Sequence, residues 1–399
     1  MNRSPIERLI ETHPDLEVWW DSSPLVFENW LQKMLAGAGA EPGEAGGMEE
    51  QLRRLFDAAD PARSIFSGCT TNPPLSLTAI QADREFWDEW TNDLVCSNPD
   101  LDQKEIAWLT YKEVVKRGAQ VYMPIWTASK GRFGFISGQL DPRLFTERGE
   151  MVREAQELAA LSPNVMIKVP GSMEGVDVVR TLTSMAIPTN VTTCFTLPQI
   201  MAVANAAMDG VQLAEANGVD LSRWRAVITV MIGRLIERRA LVEQAERRGI
   251  TMSWRDRHWY GIALMRRAYQ LLREGGYVSK LLICSMRHGP LVAGKPRFWD
   301  VEKMAGGAIV FTMPPYVLEP LFEMGDDLHF RPQVEEPVPQ EVMDKAMKIP
   351  YCIQAYDPNG LALEQFNDHP ATLYTVAAFS KATIGLEEYV SGRIAQVSK

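Results

Sequence analysis

In the stretch NVMIKVPGSMEG, Asn164 to Gly175, one residue does not match its surroundings. Val165, Met166, Ile167, Val169 and Pro170 read as a short buried strand, and Lys168 sits in its middle. An ammonium on an apolar strand must be paired, reach water, or give up its proton. A lysine at a strand end often snorkels to solvent. A desolvated lysine has a lowered pKa, and its neutral amine can attack a carbonyl to form a Schiff base. The protonated imine then draws electrons from a neighbouring bond, so the chemistry open to Lys168 is making or breaking a carbon–carbon bond.

Such chemistry needs an acid/base group, polar groups for hydroxyls and, for a phosphorylated substrate, a cationic site. Candidates stand at the ends of other β-like runs: Asp21 in VWWDSS, Asn72 in TTNPP, Ser137 and Gln139 in FGFISGQL. Asn190 and Thr192 lie in TNVTTCF, Thr229 and Arg234 in ITVMIGR, Ser285 and Arg287 in CSMR. Arg234 and Arg287 could form a bidentate phosphate clamp. Each residue alone has a plainer reading as a helix cap, a turn residue or an arginine paired with a carboxylate. Their recurrence at the same end of most strands is harder to explain as separate accidents.

Eight β-like runs must position these groups: 16–23, 64–74, 133–140, 164–171, 189–195, 226–233, 280–286 and 307–315. Most are followed by a segment with helical periodicity, which argues for a parallel sheet. Eight such units predict an α/β fold, a (β/α)8 TIM barrel with extra helices and insertions. An open doubly wound sheet is the fallback, but no GxGxxG follows any strand. Residues 1–399 read as one barrel domain. Its insertions fall at about 24–60, with a flexible loop AGAGAEPGEAGG, at 85–118, and at 326–356, a Pro- and charge-rich surface excursion. The tail from Pro370 reads as a closing helix. Of Trp19 and Trp20, adjacent on one strand and pointing opposite ways, at least one is expected in the core.

The composition bounds the rest. The 399 residues are 46% hydrophobic and carry a net charge of −10. Nothing in that balance suggests nucleic acid or an anionic membrane as partner. No apolar run reaches the length of a membrane span, and the start is too polar for a secretory signal. Five cysteines with no CxxC pair point to a reducing cytoplasm. None of the five histidines pairs with another at metal-ligand spacing, so no metal site is expected.

Taken together and in order, these segments resemble the transaldolase family. TTNPP resembles its TTNP signature. MIKVPGSMEGVDVVRTLTSMAIPTNVTTCF resembles its Schiff-base segment, with the Asn and Thr of NVT at the family's distance from the lysine. ITVMIGR and CSMR resemble its phosphate motifs on strands six and seven. The resemblance runs from about residue 16 to 318 and fades in the insertions. It implies a cofactor-free class I aldol mechanism in carbohydrate metabolism. A dihydroxyacetone unit would pass from a ketose phosphate to an aldose phosphate. Lys168 would form the imine, and Asp21 would serve as acid/base. Asn72, Ser137 and Asn190 would bind the dihydroxyacetone hydroxyls. Thr192 would help hold a catalytic water. Arg234, Ser285 and Arg287 would bind phosphate. A homodimer is possible.

Two positions depart from the family. Most transaldolases carry a glutamate where this chain reads GQLDPR, with Gln139. A carboxylate can accept a proton through a bound water, whereas an amide can only orient that water. Fructose 6-phosphate aldolases, which release free dihydroxyacetone, share the glutamine. Transaldolases usually have Phe, and those aldolases Tyr, where Met231 stands, after Thr229 on the same strand. The expectation is therefore a transaldolase-type enzyme. The alternatives are an aldolase using the same imine and a barrel that binds sugar phosphates without turnover.

Overall fold

The computed structural model describes residues 3–37, 42–292 and 294–398. Eight parallel strands close into a barrel: Glu17–Trp20, Phe66–Cys69, Phe135–Gln139, Val165–Pro170, Thr189–Cys194, Ala226–Met231, Lys280–Cys284 and Val310–Met313. The eighth returns to pair with the first, setting Trp19 opposite Thr312. Helices alternate with the strands, as the (β/α)8 reading expected. The strands are short and almost wholly buried, as a parallel sheet covered by helices must be.

The first strand shows how the interior is filled. Val18 is opposite Phe66 and Trp20 opposite Cys69, so Ser67 and Gly68 together face Trp19. This β-bulge makes room for the indole inside the barrel. A Cβ on Gly68 would lie 2.6 Å from the Trp19 ring. Trp20 points outward, with ring centroids 5.4 Å from Phe27 and 5.0 Å from Trp30. Both Trp19 and Trp20 are fully buried. Glu17, Trp19 and Asp21 therefore follow one another up the inside. Glu17 pairs with Arg225 and Lys280 at the floor, and Trp19 donates its indole N–H to Glu17 (3.1 Å).

Local sequence starts the helices at the upper rim. Asn72 caps helix Pro73–Ala82, Ser172 caps Met173–Ser184, and Thr196 with Gln199 forms a capping box on Leu197–Ala216. The C-terminal helix Pro370–Val397 packs against helices Pro73–Ala82, Arg84–Ser97 and Gln103–Ala128. A salt bridge of 2.7 Å ties its Glu387 to Arg143.

Two expectations about the insertions need correction. In the segment read as a flexible loop, 36–47, helices Phe27–Gly37 and Pro42–Arg53 take up both ends. Residues 38–41 lie outside the described residues. Pro42 is in the first turn, where its fixed φ suits a helix start. The segment 326–356 is more than a surface excursion. Its helices Gln340–Ala346 and Pro350–Tyr356 bury Val342, Ala346, Tyr351 and Cys352. The Tyr351 hydroxyl donates to the carbonyl of Leu235, next to the sixth-strand motif (3.1 Å). Charges and prolines in the intervening chain masked these apolar anchors. No helix among the described residues is long and apolar enough to cross a membrane.

Candidate active site

A cavity of about 270 Å³ opens where the strands end. Asp21, Asn72, Lys168, Thr229, Met231, Arg234, Ser285 and Arg287 all line it. They come from five strands or the turns just after them, far apart in sequence. Barrel sites are built this way, from residues at the carboxyl ends of several strands. A larger cavity, about 840 Å³, lies between helices Gln103–Ala128, Arg148–Ala159 and Pro370–Val397. Of the expected site residues, Gln139 alone lines it.

Lys168 is 4% exposed, and its Nζ donates to the carbonyl of Thr71 at 2.9 Å. Burial lowers its pKa, and the nearby Asp21 charge opposes that shift. Burial raises the Asp21 carboxyl pKa, against the pull of Lys168 and a 2.8 Å hydrogen bond donated by Thr70. Both groups are thus moved toward their neutral forms. This is how a cavity provides an uncharged amine beside an acid. Asn72 lines the cavity while serving as a helix cap, its Oδ1 accepting from the Leu75 N–H at 2.9 Å. Its amide nitrogen remains for another partner.

Four expected residues do not reach the cavity wall: Ser137, Gln139, Asn190 and Thr192. Asn190 stands in register with Lys168 on the next strand. It donates to the Ser137 hydroxyl (2.9 Å) and accepts from Thr229 (2.5 Å). Thr229, Asn190 and Ser137 therefore form one enclosed chain, and Thr229 brings it to the cavity. The Thr192 hydroxyl donates to the Met231 sulfur at 3.6 Å. Gln139 is in register with Lys168 on the other side. Its backbone N–H and C=O both bond to the Tyr111 hydroxyl, at 2.8 and 2.9 Å. Its Oε1 is buried without a partner among the described residues. An unpaired buried acceptor is costly, so this oxygen is held ready for a donor.

The cationic end rests on one glycine. A Cβ on Gly233 would lie 2.1 Å from the Ser285 carbonyl and 2.7 Å from the Arg287 guanidinium. Only glycine lets the IGR and CSMR motifs touch, and its N–H donates to Ser285 at 3.1 Å. Ser285 itself takes the left-handed conformation, φ 57°. Arg287 is bidentate to Glu237 and also donates to the Ser285 hydroxyl (3.2 Å). Arg234 packs on Phe379, its guanidinium 5.1 Å from the ring centroid. Burial lowers its pKa, and its Nη1 has no partner among the described residues. A buried guanidinium with an unsatisfied N–H facing a polar cavity suits an anion.

Sequence reasoning missed several wall residues. Glu237 and Arg238 lie one helical turn after Arg234, so the i+3, i+4 spacing could have found them. Thr70 opens the TTNPP motif, two residues before its asparagine, and could also have been found. Tyr374 and Phe379 come from the closing helix, and nothing local indicates which end of the barrel that helix covers. Among the described residues, no group of three or more His, Cys, Asp or Glu side chains is placed to hold a metal ion.

Fold and site define a (β/α)8 barrel with a buried strand lysine beside a carboxylate and an arginine-lined end. The profile of the transaldolase/fructose-6-phosphate aldolase family matches residues 57–374, and the chain belongs to this enzyme family. It is 29% identical over 289 residues to the transaldolase of Thiobacillus denitrificans, covering 68% of this chain and 77% of that protein. It is also 29% identical over 306 residues to transaldolase 1 of Streptomyces coelicolor, covering 72% and 78%.

Proposed function

We propose that the protein is a transaldolase-type enzyme that moves a dihydroxyacetone unit between sugar phosphates through an imine on Lys168. The observation that carries this reading is the placement of a desolvated Lys168, Asp21 and the unsatisfied Arg234 around one cavity. The neutral Nζ adds to the ketose carbonyl, Asp21 gives its proton to the departing water, and the iminium forms beside the resulting carboxylate. The C3–C4 bond breaks, and its electrons move into the iminium to leave an enamine. Asp21 accepts the C4 hydroxyl proton, and the shortened aldose phosphate departs. An acceptor aldehyde then takes the enamine carbon, Asp21 returns the proton, and water releases the new ketose. The imine is the electron sink, so these steps call on no metal or organic cofactor.

In this reading Arg234, Ser285 and Arg287 bind the phosphate. The Asn72 amide nitrogen and the Thr229–Asn190–Ser137 chain meet the donor hydroxyls. The test is borohydride reduction in the presence of fructose 6-phosphate, read by peptide mass. A stable adduct on Lys168, absent from Lys168→Ala, supports the reading. An adduct that survives in Lys168→Ala moves the nucleophile elsewhere, and no adduct with any ketose phosphate ends the proposal.

Gln139 favours a second reading, in which the enamine is protonated and free dihydroxyacetone leaves. It offers an amide and no carboxylate to manage the water, while Met231 matches neither subgroup. Dihydroxyacetone accumulating from fructose 6-phosphate without an acceptor selects this reading.

A further inference from the structure

Behind the cationic end of the cavity lies a buried polar pair that the steps above do not use. His258, on helix Trp254–Glu274, is fully buried, and Asp300, on the short helix Trp299–Glu302, is 1% exposed. The His258 Nε2 is 2.7 Å from Asp300 Oδ1. The other carboxylate oxygen, Oδ2, accepts the backbone N–H of Arg287 at 2.7 Å. His258 Nδ1 has no partner among the described residues. A bare ring lone pair costs less there than an orphaned N–H, so the tautomer that donates from Nε2 to Asp300 fits best.

The backbone that Asp300 grips is under strain. Ser285, two residues earlier, holds a left-handed φ of 57° without being glycine, a conformation that surrounding contacts must enforce. Three such contacts pin residues 285–287. The Gly233 N–H donates to the Ser285 carbonyl (3.1 Å), the Tyr316 hydroxyl to the Met286 carbonyl (3.1 Å), and the Arg287 N–H to Asp300. The chain returns to Arg287 with the short helix Trp299–Glu302, which carries Asp300. Glu302 steadies the start of that helix by accepting from Arg297 and from the Phe298 N–H (2.8 Å).

We propose that His258 and Asp300 are positioning residues for the phosphate end of the site. His258 orients the Asp300 carboxylate, Asp300 fixes the main chain at Arg287, and Arg287 is thereby aimed into the cavity. This rests on the reading of Arg287 as a phosphate-binding group. It adds that recognition of the phosphorylated end depends on a buried histidine and aspartate that touch no substrate.

The test compares ligands with and without phosphate. Calorimetric titration with inorganic phosphate should show at least a tenfold weaker dissociation constant for Asp300→Ala than for the unaltered protein. Preference for fructose 6-phosphate over dihydroxyacetone in borohydride trapping should fall by a similar factor. Combining Asp300→Ala with Arg287→Ala should weaken phosphate no further than Arg287→Ala alone, because both act through one contact. Additive losses overturn the inference, as does an equal loss for both trapping ligands. If Asp300→Ala does not fold, Asp300→Asn takes its place. Its Oδ1 can still accept from Arg287 but loses the match to His258, so phosphate should weaken about threefold. Unchanged affinity in that variant overturns the inference. If the unaltered protein binds phosphate yet traps no ketose, the imine reading fails while the phosphate comparison still decides this one.

Discussion

Glu237 and Arg287 meet through two parallel hydrogen bonds, 2.8 and 2.7 Å, on the wall of the lysine cavity. The carboxylate occupies the face of the guanidinium that a phosphate would take, and its charge repels a dianion. Arg287 has other anchors, since Nη1 also donates to the carbonyls of Ser285 and Met286. Glu237→Gln is therefore expected to tighten phosphate by about 1 kcal/mol, roughly fivefold. Calorimetric titration with inorganic phosphate at low salt checks this. Weaker binding would show that Glu237 holds Arg287 in place.

Gln139 stands in register with Lys168, and its Oε1 has no partner among the described residues. Gln139→Glu would place a negative charge beside the lysine. A negative neighbour favours the protonated amine, so the Lys168 pKa should rise and the trapping profile should move to higher pH. If transfer is limited by water activation, the same variant should turn over faster above its new pKa. The pH dependence of borohydride trapping reads the first effect and a coupled transfer assay the second.

Glu17 makes the floor of the barrel sensitive to acid. Burial alone would raise its pKa, but Arg225 and Lys280 hold it down at about 2. A carboxylate depressed in the folded state contributes stability that is complete above its unfolded value, near 4.5. That contribution is lost as pH falls from there toward 2. Glu17→Gln should cost about 3 kcal/mol at pH 7, because it leaves two half-buried cations facing an amide. It should also flatten the acid limb of stability. Urea unfolding between pH 3 and pH 7 would measure both effects.

Glu154 behaves in the opposite sense. Burial raises it to about 7, against a hydrogen bond from the Asp141 N–H. The folded state binds the proton more tightly than the unfolded chain, so stability falls as pH rises from about 4.5 to 7 and is level above. Glu154→Gln should remove that decline and stabilise the protein by about 1–3 kcal/mol at pH 8. No gain in urea midpoint at that pH would mean the carboxylate finds better solvation than its burial implies.

The barrel was legible because most strands are short apolar runs ending in a polar residue and followed by helical periodicity. Lys168 stood out for the same reason, as one charge in such a run. Contacts between strands were not legible. That Asn190 bonds to Ser137 depends on register, which no single strand encodes. The close approach of Gly233 to Ser285 joins motifs some fifty positions apart, and the residues around Asp300 carry no motif at all. Tyr374 and Phe379 reach the cavity from a helix whose amphipathic pattern predicts burial without naming the neighbour. Asn72 shows that the plain and the functional readings can both hold, since it caps a helix and lines the cavity.

Trp19, seated against Gly68 below the lysine, gives the barrel a blocked cellar. Sugars in the proposed cycle then reach and leave Lys168 by the open end of the strands. In the proposed cycle the first aldose has to leave before the second can take its seat, and the two compete for the same vacancy. Kinetics should then follow a two-stroke, ping-pong pattern, with parallel double-reciprocal lines. An acceptor in excess should slow its own reaction by sitting down before the donor has come.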